Sequence, residues 1–442
     1  MNTATRLLAL ATALVTGATA CSTSVPAEHT AARETAAVPT AGDQLDWIVS
    51  ASRHLPISDA DAKAHVAASS LTALGGAAGL SKALAQSGPL TAQEPAKSSK
   101  TQAIGWFTGA HRSSLLVTVA TGASGLITGL YLTGQPGSWK ELDAELRRLA
   151  PRASFATFEI GAGGRCRVVH GMHADTPRPL GSAFKLYVLG ALSDAVARGK
   201  VSWNTTMPIK DAWKSLPSGT LQNKPAGTTL TLGQYADYMI SISDNTAADH
   251  LIHRLGRAAV EAELTRLGNR HQRGDHPFLT TRQMFALKGA GYPARADRYL
   301  ALPQRKRAAA LPGLDAVPLS QITPWQQPRD IDSIEWFAAP TDMCAALDGL
   351  DDRSARPGQP GVGEALSIND GGIGLDRAAY PKVWFKGGSE PGVVTLNYLA
   401  RTSRGRTIVT SVMLSDPKTA FTGTIDLDAL AVARAGVQLA AR

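Results

Sequence analysis

The stretch Gly181-Ser182-Ala183-Phe184-Lys185-Leu186-Tyr187-Val188-Leu189 decides how the rest of the chain is read. Val188, Leu189, Leu192 and Val196 recur at helical spacing, and Gly199 stops the run. Ser182 therefore sits at a helix N-terminus, with Lys185 one turn on and on the same face. A serine hydroxyl is a weak nucleophile unless a neighbour takes its proton. A lysine does so when burial or a second cation lowers its pKa. The helix N-terminus adds partial positive charge where an oxyanion would form. Alone the pattern is weak, because an N-cap serine followed by a solvated lysine has the same letters.

Two further stretches bring residue types of the same chemistry. Ser243-Asp244-Asn245 lies 61 residues after Ser182, between an apolar helical stretch (Tyr235 to Ile242) and a second one (Thr246 to Leu255) stopped by Gly256. A hydroxyl and an amide at a helix junction suit a proton shuttle and a donor to substrate; an ordinary N-cap reads the same way. Lys386-Gly387-Gly388-Ser389 ends the strand-like Val383-Trp384-Phe385. Glycines at a strand edge admit a substrate backbone, which makes Gly388 a candidate for close approach. The Ser389 N–H is a candidate second oxyanion donor beside that of Ser182, and Lys386 a candidate carboxylate anchor. The plainer alternative is a glycine turn between strands.

In order and spacing, the three stretches resemble the penicillin-recognising serine hydrolases, the class A β-lactamases and penicillin-binding proteins. The resemblance covers about residues 139 to 442, and Ser243-Asp244-Asn245-Thr246-Ala247-Ala248 is very close to the class A form. It implies Ser182 as the acylated nucleophile and Lys185 as its general base or part of it. Ser243 would relay a proton to the leaving amine, Asn245 would bind the substrate amide, and Lys386 would hold its carboxylate. The implied fold is α+β, an all-α lobe beside an α/β lobe with the site between them. Two departures stand out. The third stretch lacks the hydroxyl of the family's lysine-threonine-glycine, for which Ser389 is a partial stand-in. Class A enzymes also carry a loop Glu, in a Glu-x-x-Leu-Asn pattern, that activates the hydrolytic water. Gly268 to Thr281 contains no Glu and only one carboxylate, Asp275. Acylation with poor turnover is therefore expected, since general-base help is typically worth ~10²–10⁴-fold. Pro277 to Arg282, Ile334-Glu335-Trp336-Phe337 and Lys386 to Gly392 are similar to an actinobacterial branch that includes the β-lactamase-like protein of clavulanic acid biosynthesis. That branch also has a small cystatin- or isomerase-like N-terminal domain.

The rest of the 442-residue chain fits two or three domains, and 44% hydrophobic with 18% charged residues excludes bulk disorder. The net charge of +9 comes without a dense basic tract interleaved with aromatics, so nucleic-acid binding is not expected. Three cysteines exclude a disulfide scaffold and a multi-cysteine zinc site; no metal or cofactor is expected, and a monomer is. Arg6, the apolar run Leu7 to Val15 and the small residues Gly17 to Ala20 read as a secretory signal over residues 1–20. Cys21 then resembles a bacterial lipobox cysteine, although Ala18 stands where Leu is usual. The expected location is the outer face of the cell membrane, held by a lipid on Cys21, with plain secretion as the alternative. Residues 21–42 read as a flexible leash.

Residues 43–137 read as a small α+β domain: helical spacing at Asp43 to Leu55, Asp59 to Leu74 and Gly79 to Leu90, then strands near Ala103 to Gly109, Ser114 to Ala120 and Gly125 to Thr133. Residues 138–442 form the second domain, with strands at both ends and helices between. Cys166 and Cys344 read as buried free thiols, with one disulfide as the alternative. His170 and His173 lack further ligands for a metal. His250 and His253 read as surface or interface residues, Glu390 as a substrate contact or a stand-in base, and Lys288, Arg295, Arg298, Arg305, Lys306 and Arg307 as a solvated basic face, with contact to anionic lipid or wall polymer as the alternative. The expected ligand is a β-lactam or small ester. A carboxypeptidase acting on D-alanyl wall peptides and a non-catalytic receptor remain open.

Overall fold

The computed structural model of the chain describes residues 38–161 and 163–442; the signal, Cys21 and most of the leash lie outside them. Two compact units divide the chain. One runs to Gln135 and takes in Thr422–Thr424, and the other is Pro136–Phe421 with Ile425–Arg442.

The N-terminal unit opens with the helix Ala41–Ala51, which starts inside the stretch expected to be a leash. Thr40 and Asp43 explain the early start by capping each other: Asp43 N–H donates to Thr40 Oγ1 and Thr40 N–H to Asp43 Oδ2. The expected helix from 59 to 74 is two, Asp59–His65 and Ala68–Ala73. They break where Val66 is drawn into a bridge with Ile127, and Ser58 caps the first. The strands Gln102–Thr108, Ser114–Thr121 and Ile127–Gly134 pair antiparallel in sequence order. Leu45, Ile48, Leu80 and Leu84 pack with Val117, Val119 and Leu130 in one apolar core.

The C-terminal unit is built on a five-stranded antiparallel sheet in the order Lys382–Glu390, Val393–Arg401, Thr407–Ser415, Arg152–Gly161, Arg165–Met172. Strands from the two ends of the domain thus meet between Thr407–Ser415 and Arg152–Gly161. Period-two alternation assigns the faces of Arg152–Gly161. Phe155 and Thr157 meet the C-terminal helix Ile425–Ala441 at Gly436, where a Cβ would lie 2.7 Å from Thr157 Oγ1. Ala156 and Phe158 face the other way, into the main core with Met343 and Leu347 of the helix Pro340–Ser354. That core continues through the helices Lys185–Ala197, Leu232–Ser241 and Asn245–Leu255.

The basic stretch is not one solvated face. Lys288 is fully buried, Arg295 and Arg307 are half-buried and donate to backbone carbonyls, and Arg298, Arg305 and Lys306 are exposed. The stretch folds into the helices Ala294–Leu300 and Gln304–Asp315.

Cys166 and Cys344 are joined in a disulfide, not free as expected. The apolar letters around them gave burial correctly for Cys344, but not the approach of the strand Arg165–Met172 to the helix Pro340–Ser354. The bridge closes a loop across 178 positions, and such closures stabilise by restricting the unfolded chain. Replacing both cysteines by alanine is expected to cost about 2–5 kcal/mol and to lower the thermal midpoint. Unfolding of the double variant beside the oxidised wild type measures this, and equal midpoints would refute it.

Candidate active site

Ser182 lies in a 3-10 turn, Gly181–Phe184, and the α-helix proper begins at Lys185. The turn is pinned from two sides. Thr395 Oγ1 donates to Leu180 O at 2.9 Å, and the Phe184 ring stacks on Trp336 with centroids 3.8 Å apart. Lys185 is fully buried. Its Nζ lies 3.0 Å from Ser182 Oγ, 2.6 Å from Ser243 O, 3.1 Å from Ser243 Oγ and 2.6 Å from Asn245 Oδ1. Burial first, and the neighbouring Lys386 second, hold its pKa well below the ordinary lysine value. A neutral amine has two hydrogens and one lone pair. The carbonyl oxygens of Ser243 and Asn245 take the hydrogens at the two shortest distances, which leaves the lone pair for a serine hydroxyl.

Ser243 sits at φ +59°, an uncommon conformation for a residue with a side chain. It ends the helix Leu232–Ser241 and aims its hydroxyl between two amines, with Lys386 Nζ also 3.1 Å from Ser243 Oγ. Lys386 is buried, donates to Gly387 O at 2.6 Å, and burial pushes its pKa down to about 7. Asp244, not singled out in the sequence, holds the junction together. It caps the helix Asn245–Leu255 through Ala247 N–H and accepts Thr220 N–H and Leu221 N–H from a facing loop. That loop comes so close at Gly219 that a Cβ there would lie 2.2 Å from the Asp244 carboxylate. Asn245 is buried with both ends of its amide engaged, Oδ1 by Lys185 and Nδ2 by Leu216 O at 2.8 Å. A substrate amide would have to displace one of these partners.

The strand Lys382–Glu390 closes the other side. Gly388 runs against the Ser182 turn so tightly that a Cβ would lie 2.1 Å from Leu180 O and 2.5 Å from Ser182 N. Gly181, at φ +50°, makes the reciprocal approach, its would-be Cβ 2.8 Å from Ser389 N. The backbones carrying the Ser182 and Ser389 N–H groups are thus neighbours, and the Ser389 side chain is exposed. Gly387 has a local reason as well: a Cβ there would lie 2.7 Å from the Phe385 ring, which stacks on Tyr398.

Other candidates from the sequence fall elsewhere. His250 is buried, not on the surface, because Thr246 O binds its Nδ1 at 2.7 Å and Lys210 N–H donates to its Nε2 at 2.9 Å. Burial pushes its pKa down to about 4. His253 stacks on Trp213. His170 contacts Asp143 and stacks on Trp139. Among the described residues no group of three His, Cys, Asp or Glu could hold a metal. Glu390 is not open as a stand-in base: its side chain is 4% exposed and bonded to Lys288 Nζ at 2.6 Å. Asp275 accepts the Phe337 N–H at 2.8 Å and lies 3.5 Å from Asn269 Nδ2. Thr281, at the end of the same stretch, turns onto Asp249 and Ser215.

Residues 152–305 match the β-lactamase enzyme family. Among solved structures, a β-lactamase from Sphaerobacter thermophilus is 20% identical, covers 68% of this chain and 97% of its own, and has a TM-score of 0.48. One from Chitinophaga pinensis is 18% identical over 69% and 98%, with a TM-score of 0.48. The penicillin-binding protein PBP-A is 18% identical over 70% and 99%, at 0.47. No curated protein matches the chain. The family match falls within the C-terminal unit, and over residues 152–305 that unit is similar to the β-lactamase enzyme family.

Proposed function

We propose that the protein is an exported, lipid-anchored serine hydrolase that forms an acyl-enzyme on Ser182 with β-lactams or small esters and releases it slowly. The observation that carries this reading is Lys185 Nζ at 3.0 Å from Ser182 Oγ, in a buried cluster that lowers the lysine's pKa. Ser182 Oγ attacks the acyl carbon and its proton passes to Lys185. The Ser182 and Ser389 N–H groups receive the developing oxyanion. Ser243, between the two lysines, then delivers a proton to the leaving nitrogen or oxygen as the C–N or C–O bond breaks. Slow release follows from the loop. The oxygens of Asp275 already have partners, so no carboxylate of Gly268 to Thr281 is free to activate water. Export and anchoring rest on residues 1–42 of the sequence alone. Among the described residues no helix is long and apolar enough to cross a membrane.

The first test is intact mass after incubation with a chromogenic cephalosporin, a fluorescent penicillin and a nitrophenyl ester. A lasting adduct on Ser182, absent in Ser182→Ala, is expected. The reading fails if no substrate is consumed and no adduct forms. Release of D-alanine from a model peptide would instead support the carboxypeptidase, and reversible binding that survives in Ser182→Ala would support a receptor.

The pKa shifts give a sign. Acylation needs the neutral Lys185 amine, so its rate rises with pH as that group loses its proton. Lys386→Met removes the second cause of the depression, so the acid limb of the acylation profile should move to higher pH. A limb that stays or moves down would refute this order of causes. Gly388→Ala places a methyl group against Leu180 O and Ser182 N. It should reduce Ser182 acylation by about 10²-fold or more, read as adduct formation over time in a variant that remains folded by circular dichroism.

A further inference from the structure

Behind the Ser182 turn lies a cluster that the acylation scheme leaves unused. Lys288 comes from the helix Thr281–Gly289, Glu335 from the turn before the strand Phe337–Ala338, and Glu390 from the end of the strand Lys382–Glu390. All three side chains are buried. Lys288 Nζ donates to Glu390 Oε1 at 2.6 Å. Glu335 Oε2 accepts the N–H of Gly181 at 3.1 Å and of Trp336 at 2.9 Å. The remaining oxygens, Glu335 Oε1 and Glu390 Oε2, meet no N–H or hydroxyl donor. The two carboxyl groups lie near enough for each to act on the ionisation of the other. Two neighbouring carboxylates away from water repel each other, which favours one proton shared by the pair. Burial first, and the Glu390 charge second, hold the Glu335 carboxyl well above the ordinary range. Burial also raises Glu390, against the pull of Lys288.

The position of this cluster gives it a consequence. Gly181 precedes Ser182, and Glu390 follows Ser389. The cluster therefore grips the chain next to both candidate oxyanion donors. One ammonium, one carboxylate and one carboxylic acid sum to zero charge. If the shared proton leaves, a net negative charge stands behind the N–H groups that must receive another. The other groups around it do not supply a replacement proton or charge. Arg329 donates to the Lys288 carbonyl. Asp275, His276, Tyr299 and Arg307 line a crevice with Glu335, but the charges that act on Glu335 are those of Glu390 and Lys288.

We propose that Lys288, Glu335 and Glu390 form a neutral, one-proton positioning block that fixes the Ser182 and Ser389 N–H groups, and that reaction at Ser182 slows when the shared proton is lost in alkali. This rests on the serine hydrolase reading. The probe is a fluorophosphonate, in which Ser182 Oγ bonds to phosphorus, fluoride leaves and the serine proton passes to Lys185. Wild type should label more slowly at alkaline pH. Glu335→Ala, which removes the acceptor for Gly181 N–H, should label about 10–100-fold more slowly. Glu335→Gln keeps an acceptor and supplies a non-titrating hydrogen, so it should recover most of that loss and flatten the alkaline limb. In infrared difference spectra at neutral pH, a carboxylic acid band should be present in wild type and lost in Glu335→Gln. Equal labelling in Glu335→Ala, or an alkaline limb and acid band that persist in Glu335→Gln, overturns the proposal. If wild type resists the probe altogether, the hydrolase reading falls separately. Amide exchange at Gly181 and Ser182 then decides the block: faster in Glu335→Ala and restored in Glu335→Gln upholds it, and equal exchange overturns it.

Discussion

Everything at the candidate site depends on burying one amine. Out of water, an ammonium loses solvation that a few dipoles only partly restore, so burial holds the Lys185 pKa well below the ordinary lysine value. In the proposed reaction, that shift suits Lys185 to act as a base beside Ser182. It also explains why so much surrounding structure concerns backbone placement. The carbonyl of Ser243 and the amide of Asn245 must present oxygens to the amine, which requires the unusual backbone at Ser243. Asp244 fixes that backbone by binding its own helix and the facing loop together.

Lys386 belongs to the same electrostatic unit. It lies close enough to oppose a proton on Lys185, and the two share the Ser243 hydroxyl. The strand that carries it also carries Gly388, whose missing side chain lets two backbones meet at Ser182. Charge and sterics therefore act through one strand, and a shift along it would disturb both.

Much of this was legible in the letters, because helix spacing and strand alternation are local signals. The strands expected near Ala103 to Gly109, Ser114 to Ala120 and Gly125 to Thr133 lie at Gln102–Thr108, Ser114–Thr121 and Ile127–Gly134. The three short motifs named Ser182, Lys185, Ser243, Asn245 and Lys386, and the fold brings these side chains together. Contacts between distant segments were not legible. Cys166 and Cys344 meet because a strand and a helix 178 positions apart are packed together, and no spacing rule gives that. Lys288 looked solvated because its neighbours in sequence are basic, whereas its neighbour in space is Glu390. His250 looked superficial because helix periodicity does not tell which face another loop covers; the backbone of Lys210 covers it. Glu335 stood in a motif noticed for its resemblance alone, and only the fold shows that it faces Gly181.

The covalent link between Cys166 and Cys344 encloses Ser182 and Ser243 but not Lys386. A protease that cut the backbone once in any surface segment between the two cysteines would leave both fragments attached to each other. Ser182 and Ser243 would stay tethered to the sheet through sulfur, so a nicked molecule would run as one piece until a reductant was added.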